Sequence, residues 1–388
     1  MVKLENIKKY EEYVIKMRRE FHMYPETGFN ETRTSARVLE ELTGMGYECT
    51  TGIGVTGIMA VLVGNKDGKT IGLRADMDAL AMQEENTFEY KSKNDGVMHS
   101  CGHDTHTAML LGAAKYFSDN KDQVNGTLKL IFQAAEEGPL PGGGISVVNG
   151  GYIDDCDAVF GLHITTRDRT GTIVIKKGPA MAAPDEFKVK VTGTGTHASA
   201  PHTGIDPVLI AAEVITKFQS IVSRNTSATD SAVISVCTVH GGTAFNIIPE
   251  SVDMSGTIRT LNNETRKHIF DRMHSICKHI GEMNDALVEL EINKAYPPVI
   301  NDPEMSEFVM EIGREVLGKE NVIEAIEPSM GGEDFAYYLE KKPGSFFWLG
   351  GGKENDTAYN HNPLFNPEEE SFMNGVAMHI NIVKEYLK

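Results

Sequence analysis

The sequence predicts an α/β fold, a mixed, largely parallel sheet with flanking helices, into which a ferredoxin-like α+β domain is inserted. Three observations lead there. Strand-like and helix-like runs alternate through residues 1–183, the rhythm of a parallel sheet covered by helices. Between residues 184 and 295 the order becomes β-α-β-β-α-β, the split βαβ arrangement. Pro-bearing segments, KKGPAMAAP (176–184) and NKAYPPVINDP (293–303), flank that region as linkers. The expected division is one domain built from 1–183 and 296–388, with 184–295 inserted into it.

The elements follow in order. Leu4, Ile7, Val14, Met17 and Phe21 recur at helical spacing and predict a helix ending near Pro25; a second helix covers Glu31 to Met45. IMAVLVG (58–64), TIGLRA (70–75), TLKLIFQ (127–133) and AVFGLHI (158–164) are strand-like runs. THTAMLLGAAKYF (105–117) is apolar on all sides and reads as a buried helix. In the inserted region EFKVKV (186–191) alternates like a half-buried strand. Asp206-Pro207 is an N-cap followed by Pro at the first helical position, and the helix runs to about Arg224. SAVISVCTV (231–239), SVDMSGTIRT (251–260) and ALVELEI (286–292) are strands, with a helix from Asn263 to Glu282 between the last two. A helix from Pro303 to Leu317 and a strand, SFFWLGG (345–351), complete the first domain.

Composition narrows the function. The 388 residues are 40% hydrophobic and 24% charged, enough for a large core without disulfide or metal staples. No apolar run approaches the ~20 residues of a membrane helix. The N-terminus is charged throughout and reads as an amphipathic helix, not a signal peptide. Five cysteines, at positions 49, 101, 156, 237 and 277, form no CxxC pair, which points to a reducing, cytoplasmic setting. A net charge of −18 excludes a non-specific nucleic-acid binder and means that an anionic substrate needs a local basic group.

Two glycine-rich stretches carry no cofactor. GIGVTG (52–57) matches GxGxxG, but a strand-like run follows it where the dinucleotide fingerprint needs a helix; it reads as a turn between strands. GNKDGKT (64–70) is one residue short of a P-loop and reads as a hairpin turn around Asp67-Gly68. GxSxG and HExxH are both absent.

The chemistry gathers elsewhere. In MHSCGHDTH (98–106), Cys101 and His103 are two apart, which in an extended segment turns both side chains to one side, as ligands for a zinc- or manganese-type ion. A single buried Cys is ordinarily a small hydrophobe, but three His, a Cys and an Asp in nine residues are not ordinary. Glu136-Glu137 follow an apolar strand, where two adjacent carboxylates are costly unless a cation lies beside them. His163 sits inside an apolar strand, and His361 lies in the loop YNHNPLF (359–365). ADMD (75–78), Glu136-Glu137 and His163 all fall near strand ends, where open α/β sheets bind ligands. The polar groups thus collect on one rim, as a metal site requires.

With these residues in view, REFHMYPETGFNE, GLRADMDALAMQE, MHSCGHDTH, QAAEEG, GLH, GTGTHASAPHTGIDP, FNIIP, GTIRT, GGEDF and HNPLF span residues 19 to 365 in one order. In them the chain resembles the co-catalytic di-metal aminoacylase/carboxypeptidase metallopeptidase family. The branch is that of hippurate hydrolases, indole-acetyl-amino-acid hydrolases and N-acetyl-diaminopimelate deacetylases. GTGTHAS departs from the GKGGHA-like stretch more usual there. The resemblance implies a zinc-exopeptidase-like domain holding two divalent metal ions (Zn, Mn, Co or Ni), with Cys101, His103, Glu137, His163 and His361 as ligands and Cys101 as a bridging thiolate. Glu136 would be the general base and Asp78 a support for the metal site. His197 would reach into the partner subunit's site; Asn246 and Arg259 would contact substrate. The inserted domain would serve as lid and dimer interface of a homodimer or tetramer. The implied activity is metal-dependent cleavage of N-acyl-L-amino acids. A dipeptidase or carboxypeptidase of the same mechanism, and a non-catalytic metal- or ligand-binding protein, are the alternatives. The expected partner is a small N-acyl amino acid or short peptide, not nucleic acid or membrane.

Overall fold

The computed structural model describes residues 1–65, 68–355 and 357–388. The chain forms two compact units. One comprises Met1–Ala180, Ile300–Glu327 and Asp334–Lys388; the other comprises Met181–Val299 and Pro328–Glu333. The second unit thus spans more of the chain than the 184–295 expected.

In the first unit a short helical lead-in precedes α1 (Glu11–Met23), followed by α2 (Thr32–Gly44), β1 (Glu48–Ile53), β2 (Gly57–Val63) and β3 (Thr70–Asp76). Then come α3 (His103–Asp119), β4 (Thr127–Gln133), α4 (Gly144–Asn149), β5 (Ala158–Arg169) and β6 (Ile173–Ile175). The second unit supplies β7 (Ala183–Thr192), α5 (Pro207–Ser220), β8 (Ala232–Gly241), β9 (Ser251–Thr260), α6 (Asn263–Met283) and β10 (Leu287–Asn293). The chain returns to the first unit with α7 (Pro303–Val316), β11 (Val322–Glu324), β12 (Gly344–Gly352) and α8 (Phe372–Tyr386).

The first unit's sheet has the order β1-β2-β4-β3-β5-β12-β6-β11. Its centre, β4-β3-β5-β12, is parallel, and β1 and β2 are added antiparallel on one side. The central strands are buried on both faces, which is why their sequences are continuous apolar runs and not alternating ones. Because they run parallel, their carboxyl ends form one rim. Asp76 ends β3 and Gln133 ends β4 on that rim. Helix α3 is buried almost all round; a Cβ on Gly112 would meet the Val14 side chain at 2.6 Å, so glycine lets α1 pack against α3.

GIGVTG is the turn of the β1–β2 hairpin, with Ile53 opposite Gly57. The hairpin expected at 64–70 is not formed. β4 lies between β2 and β3, and the residues after β2 turn to the segment before β4, with Gly64 N donating to Gly126 O at 2.8 Å and Asn65 N to Val124 O at 3.1 Å. Both β2 and β3 are apolar, so either suits an interior position, and local sequence does not select the neighbour. The turn residue Asp67 lies outside the described residues. Helix α8 was not expected either: residues from Phe372 to Val383 are buried on every side, so no amphipathic stripe announces it.

The second unit contains the β-α-β-β-α-β order, in a four-stranded sheet of order β8-β9-β7-β10 with every pairing antiparallel. β7 alternates buried and exposed along its length. Helix α5 opens as its sequence dictates: Pro207 takes the first position and the Asp206 carboxylate accepts from Val208 N at 2.9 Å. Asn262 caps α6 by accepting from Thr265 N at 2.7 Å. Phe187, Val189, Val191, Val214, Phe218, Ile258, Ile269 and Met273 form its core. No helix among the described residues is long and apolar enough to cross a membrane.

Candidate metal centre

Cys101 and His103 meet because of Gly102. This glycine adopts φ +95 and caps α3, so His103 is already the first helical residue. A Cβ at Gly102 would lie 2.5 Å from the Ile164 side chain, which excludes other residues twice over. The pair is therefore joined by a left-handed turn, not by the extended alternation that their spacing suggested.

The Cys101 Sγ is the junction of the site. His163 Nε2 is 3.2 Å from it and His361 Nε2 is 3.3 Å from it. Two sets of donors share this sulfur, Cys101–His103–His163 and Cys101–Glu137–His361, with the ligand atoms of each set within 4.8 Å of one another. His361 Nε2 is also 3.0 Å from Glu137 Oε1. The set combines sulfur, imidazole nitrogen and carboxylate oxygen, which suits zinc and its first-row neighbours.

Each donor is aimed by a second group. His103 Nδ1 lies 3.1 Å from Asp78 Oδ1, which turns Nε2 inward. Asp78 also accepts from Glu136 N at 3.0 Å and Glu137 N at 2.9 Å, so one carboxylate orients three residues. His163 Nδ1 donates to Ile164 O at 2.7 Å, leaving its Nε2 lone pair for the centre. His361 has φ +67 and is held by its own amide, which donates to Ser100 O at 2.8 Å. Beside it, Asn360 Nδ2 donates to both Cys101 O and Ile164 O at 3.0 Å, stapling three segments together.

The electrostatics suit a cation. Asp76, Asp78 and Glu136 are buried and Glu137 is partly buried, all around His103. Burial alone would lower the His103 pKa, but Asp76, Asp78 and Glu137 override it and hold it up at about 10. Burial would raise the Asp76 pKa, yet Arg74, His103 and His106 keep it well below the usual carboxylate range. Burial, then Glu137 and Glu136, push the Cys101 thiol well above its ordinary value, so only a cation at this point would keep it a thiolate. Burial, with His106 beside it, pushes His163 far down and keeps its ring neutral. His103 Nε2 is fully buried, 3.5 Å from Asp76 Oδ2 and 3.9 Å from Glu136 Oε2, and has no hydrogen-bond partner among the described residues. An orphaned inward-facing nitrogen among carboxylates fits a divalent cation.

Cys101, His103, Glu136, Glu137, His163, His361 and Asp78 thus come together in the first unit. His197, Asn246 and Arg259 belong to the second. His197 is exposed and pairs with Ile247 in a two-residue ladder, with Ala198 N donating to Asn246 O at 3.0 Å. Ser199 N donates to His197 Nδ1 at 3.2 Å, which leaves the proton of the neutral ring on Nε2. Arg259, on β9, donates to Met330 O at 3.2 Å and to Ile258 O at 3.1 Å.

Sequence reasoning missed Asp76 as a separate contributor, and His106 and Asn360 altogether. His106 Nδ1 lies 2.6 Å from Asp76 Oδ1 while its Nε2 accepts from Ile164 N at 2.8 Å. Their segments, ADMD, MHSCGHDTH and YNHNPLF, were in view; their contacts join separate strands and were not.

The sequence profile of Peptidase family M20/M25/M40 matches residues 72–385. Thermostable carboxypeptidase 1 of Saccharolobus solfataricus is 40% identical over 382 residues, covering 97% of this chain and 96% of that protein. Hippurate hydrolase of Campylobacter jejuni is 39% identical over 375 residues, 96% of each chain. Among solved structures, the YXEP protein of Bacillus subtilis, described as a dinuclear metal binding peptidase, superposes with a TM-score of 0.85 at 33% identity, over 98% of this chain and 99% of that one.

Proposed function

Because the chain belongs to Peptidase family M20/M25/M40 and is a hydrolase of amide bonds, we propose that it cleaves N-acyl-L-amino acids at the amide, with Glu136 as general base beside two divalent cations. The observation that carries this reading is the Cys101 sulfur shared by two donor sets, with Glu136 Oε2 3.9 Å from the inward nitrogen of His103. Cys101, His103, Glu137, His163 and His361 are the ligands, and Asp78 orients them. Zn, Mn, Co and Ni all suit the donors. When bound, the two cations lower the pKa of a water and polarise the scissile carbonyl.

The chain's own residues do the rest. Glu136 takes the proton of the attacking water and delivers it to the leaving nitrogen. His197 donates from Nε2 to the oxygen that becomes negative; the Ser199 amide on Nδ1 favours that tautomer. In this reading His197 acts from a second copy of the chain, and the homodimer, or a tetramer built from it, is required for turnover. The second unit is lid and dimer interface. Arg259 pairs with the substrate α-carboxylate, offsetting the local acidity of a chain with net charge −18, and Asn246 contacts the substrate. The five cysteines are all free, consistent with a cytoplasmic protein.

One observation favours a second reading. The 40% identity to a carboxypeptidase fits a peptide substrate, with Arg259 on the terminal carboxylate. Amine release from N-acetyl, N-benzoyl and indole-acetyl amino acids and from plain dipeptides separates the two, each run with Mn²⁺, Zn²⁺, Co²⁺ or Ni²⁺ and with a chelator. Chelator-sensitive release from the blocked amino acids is expected. Release from dipeptides alone selects the peptidase. No release from folded, dimeric protein with any metal contradicts both and leaves a non-catalytic metal- or ligand-binding protein.

A further inference from the structure

We propose that Glu31 is a positioning residue for the general base, its buried carboxylate holding the Ala135 amide and so setting the turn that aims Glu136 and Glu137. The proposal rests on the roles given above to those two residues.

The turn needs holding. β4 ends at Gln133, and Ala135 takes φ +51, a left-handed conformation that costs a residue with a Cβ about 1–2 kcal/mol. Its amide donates to Glu31 Oε1 at 2.7 Å, and its carbonyl accepts from Gly143 N at 3.0 Å. The next two amides, of Glu136 and Glu137, go to the two oxygens of Asp78. Three successive N–H groups are therefore gripped by two carboxylates from distant parts of the chain. With the turn gripped at its first residue, the two glutamates cannot rotate as a pair.

Capping its own helix does not explain the burial of Glu31. It occupies the N-cap of α2, yet its side chain caps nothing there. Glu26 does that work from outside, accepting from Arg33 N at 3.0 Å and Thr34 N at 2.8 Å. The Glu31 carboxylate is fully buried, and its second oxygen accepts from Thr56 Oγ1 at 2.6 Å. Burying a carboxylate is expensive unless every bond it makes counts. The segment before it is fitted to the same turn: a Cβ on Gly28 would lie 2.0 Å from Gly138 O and 3.0 Å from the Ala135 Cβ. The stretch REFHMYPETGFNE, which supplies no ligand, thus acts on the centre through this contact.

The test uses three variants of the full chain. In Glu31→Gln the amide oxygen keeps the Ala135 bond and the amide nitrogen donates to the Thr56 hydroxyl. In Glu31→Asp the charge stays but the reach is one methylene short. Glu31→Leu removes both. kcat is expected to fall about 10- to 100-fold in Glu31→Asp and Glu31→Leu with KM nearly unchanged, and Glu31→Gln to stay within about threefold of wild type. Hydrogen exchange at the Ala135 amide reads the contact without turnover: fast in Asp and Leu, protected in Gln. An inactive wild type would refute the function while the exchange result still judged Glu31. Equal damage in Glu31→Gln and Glu31→Asp, or unchanged kcat with a freely exchanging Ala135 amide, overturns the proposal; should Glu31→Leu not fold, the Gln and Asp pair decides.

Discussion

In the core of the second unit, Phe187, Val189 and Val191 alternate along β7 and pack against Ile269 and Met273 on α6. In the first unit, Asp76, Asp78, His103, His106, Glu136 and His163 are also buried, but they sit at or just past a strand end, on a helix start, in a loop and, for His163, inside β5. One region gains stability by removing apolar surface from water. The other buries charge, at a cost that a bound cation would offset. Apolar packing in the second unit and buried charge at the site are thus carried by different residues, and substitutions should separate them.

The largest expected effect lies in the site. Glu136→Gln should lower turnover by about 10²- to 10⁴-fold while bound metal and thermal stability hold, checked by amine release beside metal analysis and calorimetry. A loss of metal in parallel would make Glu136 a ligand instead of a base. Phe187→Ala is the converse. It empties a position stacked edge-on with Phe218 at 5.7 Å and should cost about 3–5 kcal/mol in denaturant unfolding, with metal stoichiometry unchanged. If metal binding falls with it, the two regions are not independent.

What was legible divides along the same line. The β7 alternation and the Asp206-Pro207 cap are local signals, since period-2 burial and a cap involve only neighbours in sequence. The apolar runs of β3, β4 and β5 told of strands but not of their neighbours, which is how a hairpin was expected where β4 intervenes. Helix α8 lacked a polar face to mark it. In the site, Cys101, His103, Glu136, Glu137, His163 and His361 stood out because their motifs are compact. Asp76, Asn360 and Glu31 did not, because each acts through a contact that crosses from one strand or loop to another.

Smaller effects sharpen the comparison. His379, on α8, is buried, and burial with His106 nearby holds its pKa down at about 3. Unfolded histidine titrates near 6.5. As pH falls from 6.5 toward about 3, the unfolded chain takes up a proton that the folded chain refuses. Stability attributable to this group is therefore present above pH 6.5 and lost through that window, at up to about 1.4 kcal/mol per pH unit. His379→Leu should flatten that slope in urea midpoints measured from pH 7 to pH 4; an unchanged slope would assign the acid lability to other groups. Asp206→Ala, in the second unit, should cost only about 1 kcal/mol, at any pH above the carboxylate range, and leave turnover per folded chain unaltered.

Whether Cys101 joins two donor sets into one two-cation centre is decided by a cobalt titration of metal-free protein, followed in the near-ultraviolet where thiolate-to-cobalt charge transfer absorbs. The thiolate signal is expected to grow through two equivalents per chain and to be absent in Cys101→Ser. Saturation at one equivalent, or a wild-type signal that survives in Cys101→Ser, would contradict such a centre.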